Sequence, residues 1–362
     1  MILIINPQIK KTVITAFKPS AEKSISFDLN TTVPYAQQRA QLKKIAAKLT
    51  AKTKLKAIAF RLHYAGKEFE KPVFISKSVI EKFAAGVFAF PLYMPQVINS
   101  IELFMSEIQN VPCLAFFETS FFSGLPENEK SYPIGKHYFN STGIEKRGYH
   151  GIWHEENAGM FGKNEKIISV VLDKQTTVCS IQGRKPMAVS LGYTPLEGIM
   201  SLKSCGDIDP GIAVYLMKEQ GYSVYKIDDI LKNESGFYGM TGNNMPIAEL
   251  IQLYGRDDSV KLAFDVYKNQ ILKYIGDAIA VLHGFDRIIF AGGNVKPLSR
   301  IIYRIMKDIS FLGLSIGRLP WEYKTKLIKI ASGDSLKSAY INSQSTEEIL
   351  FKKTKIILSR KG

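Results

Sequence analysis

Glu118 closes an apolar run in FFETSFF. A carboxylate delivered at a strand end can meet a ligand or its magnesium ion, or simply cap the next turn. His150 and His154 stand four apart in GYHGIWHEE. Two imidazoles at that spacing can share a helix face and bind a metal, but no third ligand accompanies them, so packing or substrate contact outweighs the metal reading. Gly292 and Gly293 end DRIIFAGG, where a strand should give way to a helix. Glycines there let backbone approach a nucleotide, with the helix terminus favouring negative charge; a structural turn explains the pair equally well. The segment Gly192–Gly211, GYTPLEGIMSLKSCGDIDPG, holds four glycines, two prolines, three carboxylates and one lysine. It can fill little core and, together with Glu118, reads as a catalytic loop and not a linker.

These groups need elements to carry them. Residues 1–17, MILIINPQIKKTVITAF, run apolar strand, polar turn, β-branched strand, and residues 166–181, KIISVVLDKQTTVCSI, repeat that plan. Each predicts a β-hairpin that opens a domain. The repetition suggests two similar domains, although hairpins are common enough to recur by chance. KAIAFRLHYAG (56–66) and CLAFFETSFF (113–122) read as strands, with the helix SKSVIEKFAAGV between them, capped by Ser76. Further on, PGIAVYLMKEQG is a helix with Pro210 near its start and Gly221 as its stop. A long amphipathic helix, DSVKLAFDVYKNQILKYIGDAIAVLHG, precedes the buried strand DRIIFAGG and the helix VKPLSRIIYRIMKDI. Strands alternating with helices mean an α/β fold.

The ordered short motifs resemble the acetate kinase family. Thr194–Gly198 and Gly206–Gly211 match its T-P-L-E-G and G-D-x-D-P-G runs, and AFFETSFFSGLP is similar to its F-D-T-A-F-H-Q-T-M-P. KRGYHGIWH resembles R-Y-G-F-H-G-T-S-H, LKYIGDAIAVLHGFDRIIFAGG its long helix and glycine-ended strand, and STEEIL its terminal T-N-E-E-L. The resemblance covers nearly the whole chain. It implies duplicated ribonuclease H-like domains, as in actin, Hsp70 and sugar kinases, with ATP and Mg2+ in an interdomain cleft. It also implies transfer of the γ-phosphoryl group of ATP to a short carboxylate, giving an acyl phosphate and ADP. The domains would be 1–119 with 349–362, on the acyl side, and 120–348, on the nucleotide side. Family members pair as homodimers.

By the same resemblance, Asn6 contacts phosphate and, with Glu347, the metal. Glu118 replaces the family's aspartate near magnesium. Arg61, in AFRLHYAG, matches an arginine that positions the substrate carboxylate, and His150 a histidine that stabilises the transition state. Leu92 and Pro195 fall at acyl-pocket positions, while Lys10, Lys203, Gly292 and Gly293 fall on the nucleotide side.

Several family motifs are altered. N-x-G-S-S-S becomes Asn6-Pro7-Gln8-Ile9-Lys10-Lys11, and H-L-G-N-G becomes Val171-Leu172-Asp173-Lys174-Gln175. The arginine of M-G-T-R-x-G-D aligns with Ser204, next to Lys203, a point charge without the guanidinium fork. D-T-S-M-G reads AVSLG, S-x-D-x-R reads Asn244–Ala248, and G-G-I-G-E-N reads Gly292–Pro297. Two readings follow. One is an acetate kinase-type enzyme in which Lys10, Lys11, Lys174 or Lys203 replaces the lost phosphate contacts. The other is a catalytically impaired relative that keeps the fold to bind a nucleotide or a partner.

Composition bounds the alternatives. At 362 residues the chain exceeds one ordinary core, and 46% apolar content gives ample material for two. Forty-eight Lys+Arg against 33 Asp+Glu leave a net charge of +15, which could suit an anionic ligand or a nucleic acid. The basic residues are spread out without the aromatic interleaving that binds single strands, so they read as solvated surface and nucleic-acid binding ranks last. Three scattered cysteines fit a reducing cytoplasm, and no apolar stretch reaches the roughly 18 residues of a membrane span.

Overall fold

The apolar run Ile2–Pro7 forms β1 and turns back as β2 (Lys11–Phe17), with Ile2 opposite Phe17 and Pro7 opposite Thr12. The computed structural model describes residues 1–18, 24–51, 53–64, 66–85, 93–135, 137, 143–317 and 325–360. They divide into two units, Met1–Ser123 with Thr346–Gly362, and Gly124–Ser345.

In the first unit, β3 (Ser24–Asn30) extends the hairpin, and β4 (Ala57–Leu62) and β6 (Cys113–Phe117) add parallel strands beyond β1. The two-residue β5 (Val73–Phe74) is an antiparallel edge, giving the order β3-β2-β1-β4-β6-β5. The second unit repeats every step. The hairpin β7 (Ile167–Leu172) and β8 (Thr176–Gln182) continues into β9 (Lys185–Val189). Parallel β10 (Arg287–Ala291) and β12 (Ser338–Asn342) follow on the other side of β7, with antiparallel β11 (Leu327–Lys329) at the edge. Read in the same sense, the order is β9-β8-β7-β10-β12-β11. The two opening hairpins expected from residues 1–17 and 166–181 thus begin two sheets of one topology, the ribonuclease H-like arrangement. Strands β4, β6 and β7 are buried at every position, as parallel strands covered on both faces must be.

Helices supply that cover through spaced apolar residues. Helix Met94–Glu107 buries Val97, Ile101 and Phe104, and Phe104 meets Phe60 of β4 edge to face at 5.7 Å. Helix Asp258–Val281 buries Val260, Ala263, Phe264, Tyr267, Ile271, Ile275 and Ala278, a stripe with three- and four-residue steps. Local punctuation follows the expected chemistry. Val79 N–H donates to Ser76 Oγ at 3.3 Å ahead of helix Lys77–Ala85. Asp209 accepts from Gly211 N–H at 2.8 Å as helix Pro210–Glu219 starts, and Gly221 takes φ +66° beyond its end. The final helix, Thr346–Ser359, belongs to the first unit, where Phe351 stacks on Phe17 at 4.7 Å.

Gly292 has a structural reason to be glycine. Its φ is +105°, and a Cβ there would run into the carbonyl of Leu172 at the end of β7. Asn294 N–H donates to that same carbonyl at 2.9 Å. Gly292→Ala is therefore expected to lower unfolding stability by about 2 kcal/mol, read from urea denaturation, through backbone strain at this turn.

Candidate active site

Strands β1, β4 and β6 are parallel neighbours, with Ile5 opposite Phe60 and Arg61 opposite Phe116. Asn6, Arg61 and Glu118 therefore come to the same edge of the first sheet, at the carboxyl ends of its parallel strands. Open α/β sheets bind ligands at that edge. Glu118 is the first residue past β6, and its N–H donates to Leu62 O at 2.9 Å. Its side chain is 0% exposed and Arg61 is 9% exposed. Arg61 Nε donates to Glu118 Oε1 at 2.5 Å. Burying such a pair costs desolvation that contact alone often fails to recover, so its position at a ligand-binding edge points to use and not to stability. Beside the pair, His63 stacks on Tyr93 at 4.3 Å, and burial pushes the Tyr93 hydroxyl well above its usual range.

The remaining positions of this unit are more scattered. Lys10 is exposed in the turn between β1 and β2, and Glu347 is half-buried in the first turn of Thr346–Ser359. Leu92 lies outside the described residues.

In the second unit β7, β10 and β12 are parallel, with Ala291 opposite both Val171 and Asn342. Asp173, Gly292–Gly293 and Asn342 thus share the equivalent edge. His150 precedes helix Gly151–Gly159 in the left-handed region, φ +62°, and is buried. Its Nδ1 lies 3.0 Å from Thr177 Oγ1 and its Nε2 4.0 Å from Asp173 Oδ2. His154, one turn on, holds the same hydroxyl through Nε2 at 2.8 Å and Ser169 Oγ through Nδ1 at 2.8 Å. Burial lowers its pKa to about 3, so it is neutral. Both His154 nitrogens are thus occupied by hydroxyls, which removes the reading of the two histidines as a metal pair.

The glycine-rich loop folds onto itself. Asp207 Oδ1 accepts from Gly198 N–H at 2.6 Å, Asp207 N–H donates to Gly198 O at 2.8 Å, and Tyr274 donates its hydroxyl to Asp207. Gly206, at φ +67°, lies where a Cβ would strike Gly198 and Met200 backbone. Gln270 Oε1 ties Met200 N–H to the long helix at 2.9 Å. Glu197 takes Lys146 at 3.1 Å and the Tyr132 hydroxyl, and Pro195 is exposed. Two altered motif positions meet here: Gln175 Nε2 donates to Ser204 Oγ at 3.4 Å, and Ser204 Oγ also pairs with Ser201 Oγ at 2.7 Å. Lys203 Nζ stands 5.3 Å over the Tyr238 ring.

Thr177, Ser169, Asn157, Asn342 and Tyr274 are additions that the sequence reading lacks. A serine inside the fully buried IISVVL was the available signal, since a hydroxyl there needs a partner. Among the described residues no three His, Cys, Asp or Glu side chains are grouped to hold a metal. Mg2+ bound to ATP takes most of its ligands from phosphate and water and needs only one or two protein carboxylates. Glu118, paired with Arg61, and Glu347 fit that donor chemistry as single carboxylates and do not form a cage.

The sequence model of the acetokinase family matches residues 6–350. The acetate kinase of Clostridium kluyveri is 29% identical over 318 residues, covering 85% of this chain and 78% of that protein. The acetate kinase of Bacillus cytotoxicus is 30% identical over 268 residues, 72% of this chain and 68% of its relative. The crystal structure of Porphyromonas gingivalis acetate kinase superposes with a TM-score of 0.86 at 21% identity, covering 99% of both chains. A propionate kinase from Francisella tularensis gives 0.85 at 24% identity, covering 96% of this chain and 97% of its own. The fold is thus shared with these structures, and the match from residue 6 to residue 350 shows that the chain belongs to the acetokinase family.

Proposed function

We propose that this protein transfers the γ-phosphoryl group of ATP to a short-chain carboxylate. A carboxylate oxygen forms the new bond to phosphorus, the bond to the bridging oxygen breaks, and ADP leaves with that electron pair. The observation that carries this reading is the buried Arg61, aimed by Glu118 at the carboxyl ends of parallel strands. A guanidinium fork matches a carboxylate in two-point geometry, and fixing its Nε sets the fork's direction before substrate arrives. His150 serves the oxygens of the moving phosphoryl group. Asn6, Lys10 and Lys203 supply polar and cationic contacts to phosphate, the two lysines in place of the altered loops. Gly292 and Gly293 leave room for the nucleotide, and Pro195 belongs to the acyl side. Asn6 and Glu347, with Glu118, would hold the Mg2+ that accompanies ATP, and the ion would supply neutralisation of phosphate charge.

The test is acyl phosphate formation, trapped as hydroxamate, from Mg-ATP with acetate, propionate and butyrate. Turnover with at least one acid is expected. ATP-dependent thermal stabilisation without turnover on any of them would overturn the proposal in favour of a nucleotide-binding relative.

The proposal includes a homodimer. Helix Pro210–Glu219 buries none of its residues, and Ile212, Val214 and Tyr215 on it, with Val224 and Tyr225 on helix Val224–Asn233, are exposed. Light scattering is expected to give twice the chain mass of 40.6 kDa, and Tyr215→Lys with Tyr225→Lys to give one chain mass. Among the described residues no helix is long and apolar enough to cross a membrane.

A further inference from the structure

Five side chains outside the roles above, His154 among them, lead to His150 in one buried chain of hydrogen bonds, and one end of that chain fixes its direction. Gln344 presents a backbone N–H, which can only donate, to Asn342 Oδ1 at 3.1 Å. Asn342 therefore turns its Nδ2 toward Asn157 Oδ1, at 2.9 Å. Asn157 in turn gives its Nδ2 to Ser169 Oγ at 2.8 Å. Ser169 has a single hydroxyl hydrogen, and His154 Nδ1, at 2.8 Å, is the acceptor facing it. Leaving that hydrogen unpaired in a fully buried site is disfavoured.

His154 is neutral, because burial lowers its pKa to about 3. With Nδ1 accepting, its one proton sits on Nε2 and is donated to Thr177 Oγ1 at 2.8 Å. The Thr177 hydroxyl hydrogen then goes to His150 Nδ1 at 3.0 Å.

We propose that this relay holds His150 in the Nε2–H tautomer, with Asn342, Asn157, Ser169, His154 and Thr177 as positioning residues. Every member is buried, so water does not compete for the links. On the far side of the ring, Asp173 Oδ2 stands 4.0 Å from Nε2, and a carboxylate there also favours a proton on that nitrogen. What the N–H acts on rests on the proposed function: it offers a donor to the transferred phosphoryl group, whereas the opposite tautomer would turn a lone pair toward those oxygens.

The test is long-range 1H–15N NMR on histidine-labelled protein, with the His150 signals assigned by their loss in His150→Gln. The wild type is expected to show a protonated Nε2 and a bare Nδ1 at His150. In alkaline buffer Asn342→Asp places an ionised carboxylate that accepts from both Gln344 and Asn157. It should reverse every link, leaving His150 protonated on Nδ1. The same variant is expected to lower kcat for acyl phosphate formation by about 10²-fold with both KM values unchanged. Ser169→Ala cuts the chain and leaves Asp173 alone to bias the ring, so the Nδ1–H form should appear beside the Nε2–H form at His150, and this decides the matter if Asn342→Asp does not fold. A wild-type His150 protonated on Nδ1, or an Asn342→Asp protein that keeps the Nε2–H form, overturns the inference. The predicted tautomers in a protein without turnover would leave this inference standing while the kinase reading fails.

Discussion

Arg61→Ala is expected to reduce kcat/KM for the carboxylate by about 10³-fold, with a raised KM for the acid and an unchanged KM for ATP. Losing a residue that orients a reactant forfeits prepaid alignment, and a 10³-fold loss corresponds to about 4 kcal/mol of transition-state stabilisation. Lysine should not rescue the loss, because a point charge cannot grip both carboxylate oxygens in the plane of a fork. The substitution also strands Glu118, which is 0% exposed, so unfolding stability should fall by roughly 3–5 kcal/mol. The two losses are separable. Arg61→Met with Glu118→Leu removes the buried charge pair altogether and should recover most of the stability without recovering turnover. Parallel urea titrations and hydroxamate assays on the three variants make the comparison. An Arg61→Ala enzyme within about tenfold of wild type would remove Arg61 from the substrate's contacts, since a clamp on a reacting group is worth more than that.

The two hairpins were legible because apolar periodicity and a polar turn are local signals, and local signals survive into β1–β2 and β7–β8. The cap at Ser76 read for the same reason: it uses a partner three residues away. Arg61 and Glu118 could each be marked as chemical from their motifs, but nothing in the chain announces that they bond each other across 57 positions. That pairing follows from β4 and β6 lying side by side in parallel, a tertiary fact. Gly292 shows a position that sequence leaves undecided. Its sequence context suited a nucleotide approach and a structural turn equally, and only the geometry shows the backbone approach to Leu172 that demands glycine by itself. The relay around His154 was the least legible feature, since Asn342 and Asn157 are 185 positions apart. Hydrogen-bond partners of buried polar groups are chosen by the completed fold, while periodicity reports only which side of an element is covered.

Lowering the pH from 7 to 4 is expected to cost the wild type about 3 kcal/mol of unfolding stability through His154 alone. The sign follows from the direction of the shift. Burial holds the folded imidazole near pKa 3, against an ordinary value of 6.5 in the unfolded chain. Between those values the unfolded chain binds a proton that the folded protein refuses, so acid favours unfolding. The contribution is complete above about pH 6.5 and declines as pH falls toward about 3, at about 1.4 kcal/mol for each pH unit inside that window. Carboxylates titrate over the same range, so the measurement must be a difference. Urea denaturation of wild type and His154→Gln at pH 7 and pH 4 provides it. The variant is expected to be less stable at neutral pH, where it lacks the fitted pair of bonds, yet to lose about 3 kcal/mol less on acidification. Equal losses in the two proteins would mean that His154 accepts its proton in place. The hydrogen bonds argue against that outcome: a charged imidazole donates from both nitrogens, and Ser169, already receiving Asn157, would then have to accept from His154 as well and leave its own hydrogen without a partner.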